Sequence, residues 1–300
     1  MRLAAVASHA TWRYPLGMHG GQWAGFTLDR PVVMGILNVT PDSFSDAGRF
    51  GSAVAATEAG RAMIRDGADI VDIGGESTRP DALPVSSDEE MERVLPVIRA
   101  LASDGAVISA DTRNAATMRA AIELGAKIIN DVSGLRHDPA AAAVVARQKC
   151  PVVLMHMRGS PMTMNCHAHY SNLVTDVLHE LASIRDSALA AGILPDAIAL
   201  DPGFGFAKIG EQNLQLLRGL KNFAALGHPL LIGLSRKGFV GAASGEPDAG
   251  RRLPGSLAAG LFALSQGASI LRVHDVRETV QAVRMWRALT GAPAGSAKEV

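Results

Sequence analysis

Cysteine is nearly missing from this chain of 300 residues. There are two, Cys150 and Cys166, too few for a disulfide framework and without the C-x-x-C spacing of a thiolate metal site. That scarcity fits a reducing, cytoplasmic home. An excess of one charge is missing too: 29 basic residues face 29 acidic ones, so the basic surplus of a nucleic-acid surface is absent. No run of about 18 apolar residues occurs, as a membrane-spanning helix requires. The opening "MRLAAVASHATWRYP" is too weakly apolar for a secretory leader. What is abundant is ordinary core material. The chain is 48% apolar and 19% charged, which supports a sizeable core and argues against disorder.

A two-part unit recurs along the chain. Each unit is a short β-rich apolar run followed by an amphipathic stretch. The runs are "VVMGILNV", "ADIVDIGG", "VISADT", "KIINDVSG", "PVVLMHM", "AIALDPG", "PLLIGLS" and "ASILRVHD". Nearly continuous Val, Ile, Leu and Met is the pattern of strands buried on both faces. Helical patterns separate them, such as "EEMERVLPVIRALASDG" and "NLQLLRGLKNFAALG". Six helices should stop at Gly67, Gly105, Gly125, Gly192, Gly227 and Gly267, because glycine accepts the left-handed conformation that ends a helix. Eight strand-helix beats in about 250 residues is the size of a (β/α)8 TIM barrel, an α/β fold. The rival is an open doubly wound sheet, but its usual G-x-G-x-x-G is missing after the first run. No linker divides the chain. We expect one barrel over residues 31–290, an N-terminal extension over 1–30 that closes the barrel floor with a hairpin, and a flexible tail over 291–300.

Active sites of such barrels lie at the C-terminal ends of the strands. All eight runs end in polar groups: Asn38; Asp72, then Glu76, Thr78 and Arg79; Asp111; Asn130 and Asp131; His156 and Arg158; Asp201; Ser235, Arg236 and Lys237; Arg272, His274 and Asp275. Polar groups in apolar strands are costly unless paired. One such residue is bland; eight convergent ends imply a site. Carboxylates and amides come from the second, third, fourth and sixth runs, cations mainly from the seventh and eighth. Clustered carboxylates raise one another's pKa unless donors sit among them, and a ligand edge rich in N–H groups would supply such donors. The cations imply a phosphate, with magnesium beside it. The ligand therefore has a flat donor-rich ring deep in the barrel and a phosphorylated end.

The blocks "MGILNVTPDSFSDAGRF", "GADIVDIGGESTRP", "ISADT", "GAKIINDVSGL", "VVLMHMRGSPMTM", "LDPGFGFAK", "GLSRKGFVG" and "GASILRVHDV", in this order, resemble the dihydropteroate synthase family. The resemblance implies a cytoplasmic barrel, commonly a homodimer, that uses Mg2+. Its members join 4-aminobenzoate to 6-hydroxymethyl-7,8-dihydropterin diphosphate, releasing diphosphate and forming 7,8-dihydropteroate. It implies small-molecule substrates only, with neither nucleic acid nor membrane as partner. By motif, Asp111, Asn130, Asp201 and Lys237 bind the pterin, with Met155 and Phe206 beside it. Asn38, Thr78, Arg79, Arg272 and His274 hold the diphosphate, and Asn38 also meets the metal. Phe44, Arg79, Ser235 and Gly238 border the aminobenzoate, with Phe206 nearby. Asp111, Lys237, Arg272 and His274 form the catalytic set.

Gly238 stands where the family often has a serine able to touch the aminobenzoate carboxylate. Asp81 and Ala110 are also unusual at their places. Two other functions stay open: a pterin-dependent methyltransferase, which should lack the first two loops, and a non-catalytic pterin-binding paralogue, which should have lost a diphosphate cation. His156 reads as a wall of the pterin pocket, and the other blocks set aside a Schiff-base reading of Lys237 that a borohydride trapping test would decide. The "NCHAH" segment reads as a loop rather than a metal centre. "TPDSFSDAGRF", over residues 40–50, reads as a mobile cover that brings Phe44 over the substrate.

Overall fold

The structure, a computed structural model, describes residues 21–40, 48–77 and 85–291, the first five of the second stretch by backbone alone. Phe44, Thr78, Arg79 and Asp81 lie outside the described residues, as does most of the expected cover. Of its described part, Thr40 lies outside any helix or strand, while α1 runs from Gly48 to Arg65, so Gly48, Arg49 and Phe50 belong to a helix and not to a loop.

Eight parallel strands follow a short hairpin. They are β3 (Val32–Asn38), β4 (Ile70–Gly74), β5 (Ile108–Asp111), β6 (Ile128–Asp131), β7 (Val152–Met155), β8 (Ile198–Asp201), β9 (Leu231–Ile232) and β10 (Ile270–Val273). Their spatial order is β8-β7-β6-β5-β4-β3-β10-β9. A parallel bridge between Leu200 and Leu230 joins the two ends. That closure makes the sheet a (β/α)8 barrel and removes the open-sheet alternative. The helices between are α2 (Ser87–Ser103), α3 (Ala115–Glu123), α4 (Ala141–Gln148), α5 (Leu173–Ala190), α6 (Glu211–Arg218), α7 (Gly238–Ser244), α8 (Leu253–Ser265) and α9 (Val276–Thr290). All six anticipated cap glycines have positive φ, from 73° at Gly227 to 107° at Gly125. The stretch "NLQLLRGLKNFAALG" is not one helix. It breaks at Gly219, and Leu220–Leu226 continues as a 3-10 turn.

Strand residues alternate between faces, and here the two faces have different duties. Outward positions such as Val71, Ile73, Ile129, Val152, Leu154, Ile198 and Leu200 pack under the helices. Inward positions at the N-terminal end form a second, apolar core of Met34, Ile70, Ile128, Val153, Ala199, Leu231 and Ile270. The hairpin of β1 (Gln22–Trp23) and β2 (Phe26–Thr27) seals this end. Ala24 and Gly25 both have positive φ, the geometry of a tight two-residue hairpin turn. Trp23 is 1% exposed, packs against the inner core, and donates from Nε1 to the Ala197 carbonyl at 3.0 Å. The barrel is thus filled and stoppered below, which leaves its upper end for chemistry.

Candidate active site

Near the C-terminal ends of five of the eight strands the inward position is polar, and on β7 it is Met155. Ile70 is followed by Asp72, Ile128 by Asn130, Val153 by Met155, Ala199 by Asp201 and Ile270 by Arg272; on β5 the inward tip is Asp111. Period two puts all six on the inner face, one layer above the apolar plug. Arg272 ties the layer together. Its Nε donates to Asp72 Oδ2 and its Nη2 to Asp111 Oδ2, both at 2.6 Å. Asn130 Nδ2 donates to the same Asp72 oxygen at 3.0 Å. This fixes the amide, so the Asn130 carbonyl oxygen is left to face a ligand. Asp72 is fully buried, and its Oδ1 has no partner. An unsatisfied buried acceptor costs about 1–3 kcal/mol. Burial pushes the Asp111 carboxyl well above the ordinary range, against the pull of Arg272.

The second half of the site hangs on the loop after β8. Gly203 N–H donates to Asp201 Oδ1 at 2.7 Å, while burial raises the Asp201 carboxyl. A Cβ at Gly203, where φ is 73°, would stand 2.0 Å from the His156 carbonyl oxygen, so only glycine fits the turn. Phe204 supplies a carbonyl that accepts from Lys237 Nζ at 2.7 Å. The same ammonium lies 4.3 Å from the centre of the Phe206 ring, and burial lowers it to about 8. Phe206 packs with Met155, Met157 and Val132. Lys237, at the end of the β9 connection, is the N-cap of α7. Its ammonium is bonded to a carbonyl and lies over a ring, an environment that holds a cation over a flat ligand.

His274 and Ser235 form a unit. The His274 backbone N–H donates to Ser235 Oγ at 3.2 Å, and the ring Nδ1 lies 3.0 Å from the same oxygen. The Ser235 hydroxyl is therefore engaged with His274 through both the backbone and the ring. Gly238 is exposed and opens α7, with no atom within 4 Å of a would-be Cβ. Asn38 is half-buried at the tip of β3, beside Gly74 in register.

Several strand-end residues have other duties. Asp131 points outward and accepts from Ser133 N, Ser133 Oγ and Leu135 N. Glu76 holds Arg113 through two bonds of 2.7 and 2.9 Å. Arg236 pairs with Asp275. His156 is not a pocket wall. It is fully buried and bonded at both ring nitrogens, to Lys208 Nζ at 2.9 Å and Glu180 Oε2 at 3.0 Å. Burial lowers its imidazole to about 4. Lys208 and Glu180 are not among the strand-end residues read from sequence, and Asp72 is among them without a specific role. A lysine amid glycine and phenylalanine in "GFGFAK" was the available signal for Lys208.

Comparison with known proteins agrees with this geometry. A family model described as "Pterin binding enzyme" matches residues 34–274. The dihydropteroate synthase of Synechocystis sp. is 46% identical over 261 residues, 87% of this chain and 90% of that protein. A structure of Xanthomonas albilineans dihydropteroate synthase with 4-aminobenzoic acid superposes with a TM-score of 0.85 at 46% identity, covering 90% of this chain and 97% of the other. The same enzyme in complex with 7,8-dihydropteroate gives 0.81 at 44% identity, covering 89% and 97%.

Proposed function

This chain belongs to the pterin binding enzymes of the dihydropteroate synthase family, and from that membership we infer the work of its barrel mouth. It joins 4-aminobenzoate to 6-hydroxymethyl-7,8-dihydropterin diphosphate. The bond between the pterin methylene carbon and the diphosphate oxygen breaks, a bond from that carbon to the aniline nitrogen forms, and one amine proton is released. The products are 7,8-dihydropteroate and diphosphate.

The observation that supports this reading best is the acceptor-rich inner layer built around one guanidinium. Asp111, Asn130 Oδ1 and Asp201 present oxygens, which suit the N–H-rich edge of a pterin. The Asp201 carboxylate matches the paired donors of the 2-amino group and ring N–H. Lys237 covers the ring and Met155 and Phe206 flank it. Arg272 has further N–H groups beyond the two held by Asp72 and Asp111, and these, with His274, turn to the leaving diphosphate. We assign a dissociative path, in which bond breaking leads and the pterin ring spreads the positive charge left on its methylene carbon. No side-chain nucleophile is needed; the protein supplies position and charge.

A magnesium ion fits the residues present. Among the described residues no group of three or more His, Cys, Asp or Glu stands ready as a cage, but Mg2+ keeps several waters and binds through one or two protein oxygens plus substrate phosphates. Asn38 would offer the protein oxygen, and the bound ion would neutralise leaving-group charge. Phe44, Thr78 and Arg79 are assigned to the outer site by motif alone, and Gly238 to the aminobenzoate end. We further propose a homodimer working in the cytoplasm.

The test is direct. Purified protein with dihydropterin diphosphate, Mg2+ and labelled 4-aminobenzoate should yield labelled dihydropteroate. Absence of product beside a working control refutes the assignment and leaves a pterin-binding paralogue or methyltransferase. Sedimentation velocity checks the dimer, and EDTA followed by Mg2+ checks the metal.

A further inference from the structure

Among the described residues no carboxylate comes within ion-pair distance of the Lys208 amine, and almost no water reaches it. Lys208 is 2% exposed. Its ammonium has three protons and three neutral acceptors: the Gly203 carbonyl at 3.0 Å, the Phe206 carbonyl at 2.9 Å and His156 Nδ1 at 2.9 Å. Because Nδ1 accepts, the other ring nitrogen carries the proton and donates to Glu180 Oε2 at 3.0 Å. Glu180 is held in turn by Arg158. A chain thus runs from the β8 loop through the end of β7 to α5. Burying an ammonium in this way is expensive, and burial lowers Lys208 to about 7. Such an expense calls for a reason.

The loop that Lys208 grips supplies one. Between Asp201 and Lys208 the backbone takes positive φ three times, at Gly203, Gly205 and Ala207. For Ala207, which carries a Cβ, that conformation is strained. No ladder of regular bonds supports the loop. It is held by Lys208, by Asn213 accepting from Gly205 N–H at 2.7 Å, and by Tyr170 O–H donating to the Ala207 carbonyl at 3.0 Å. Yet its three central residues each set one part of the pterin site. Gly203 orients the Asp201 carboxylate, Phe204 anchors Lys237, and Phe206 lies beneath that ammonium. Lys208 holds the residues at both ends of this triplet.

We propose that Lys208 is a positioning residue for the pterin subsite, clamping the Gly203–Phe206 turn so that Asp201, Lys237 and Phe206 meet the ring together, with His156 and Glu180 as its backing. This rests on the synthase reading. It assigns to the clamp the pterin half of the reaction; of the residues placed at the aminobenzoate half by motif, only Phe206 lies in the turn that Lys208 grips.

Lys208→Met keeps the stem and removes the three donors. The pterin diphosphate KM should rise about tenfold or more while the 4-aminobenzoate KM stays within about threefold. The Kd for the pterin, followed by its fluorescence, should rise in parallel. Leu101→Ala, in the buried core of α2, serves as a control that lowers the melting temperature without touching the clamp; both its KM values should hold. Glu180→Gln, on the partly exposed outer link, should shift the pterin KM in the same direction by a smaller factor, and it decides the question if Lys208→Met does not fold. Equal rises in the two KM values, or a pterin Kd within about twofold of wild type in the folded variants, overturns the proposal. A wild-type protein that binds pterin without turnover would refute the synthase reading alone, because the pterin Kd still reports on Lys208.

Discussion

Replacing Arg272 with methionine isolates what its guanidinium does for the fold. Its Nε–H and an Nη2–H each end on a carboxylate at 2.6 Å. Neither carboxylate is open to water: the Asp72 side chain is 0% exposed and that of Asp111 9%. Methionine keeps an apolar stem but leaves two buried carboxylates without a counter-charge. Removing one partner of a buried pair costs about 3–5 kcal/mol, a large share of a domain stability of about 5–15 kcal/mol. The cost has a sign in pH. Without the cation, at least one carboxyl titrates higher in the folded chain than in the unfolded one, so folding takes up a proton. Stability is then intact below the unfolded value near about 4 and lost as pH rises, by about 1.4 kcal/mol per pH unit. Wild type should already lose stability in this direction, because burial raises Asp111 to about 8; the variant should lose more. Urea melts of both proteins between about pH 5 and pH 9 measure the difference. An Arg272→Met penalty that is the same at every pH would refute the reasoning. Adding Asp72→Asn should restore much of the stability and none of the turnover, separating the fold's need for the cation from the reaction's.

Three further outcomes are expected. Gly238→Ser meets open space, so its stability should stay within about 0.5 kcal/mol of wild type, while the 4-aminobenzoate KM falls; an unchanged KM means the hydroxyl does not reach the substrate. Lys237 is lowered to about 8 by burial, so its cation is present below that pH and lost above it. Pterin affinity by calorimetry should weaken through about pH 8 and keep its strength in Lys237→Arg, whose charge persists. Trp23→Ala empties the floor and should cost about 3–5 kcal/mol in denaturant, with kcat unchanged in the protein that remains folded.

What could be read beforehand followed from periodicity. The barrel was legible because strands buried on both faces need uninterrupted Val, Ile and Leu, and because cap glycines punctuate the helices. The inner polar layer was legible for the same reason: Asp72, Asn130, Asp201 and Arg272 each interrupt an apolar run. Their parity is readable in the same runs. Asp131 follows Asn130 immediately, so it must face outward, where it ties its own turn. Partnership was not legible. Ser235 and His274 are 39 residues apart and meet only in the fold. His156 reads as a ligand-facing residue until Lys208 and Glu180 are seen on its two nitrogens. The broken helix at Gly219 was hidden because apolar periodicity continues across it into the 3-10 turn.

The charges of the inner site constrain the ligand it can take. Asp72, Asp111 and Asp201 are the carboxylates of the layer, and Arg272, Lys237 and Lys208 are the cations among and behind them. When all six are charged they balance. Burial lowers Lys208 and Lys237 and raises Asp111, so each group is held at a cost. A buried balanced set admits a neutral ring that donates to the carboxylates. A charged ring would have to bring or expel a counter-ion through a low-dielectric space. We propose that the substrate's negative charge stays at the mouth, where His274, Arg272 and Asn38 are assigned to the diphosphate. That separation places the bond to be broken at the boundary between a neutral interior and a cationic rim. Departure of diphosphate there moves negative charge away from the buried carboxylates and leaves positive charge on the pterin above them. The same carboxylates that would reject an anionic ring thus favour the cationic one formed as the bond opens.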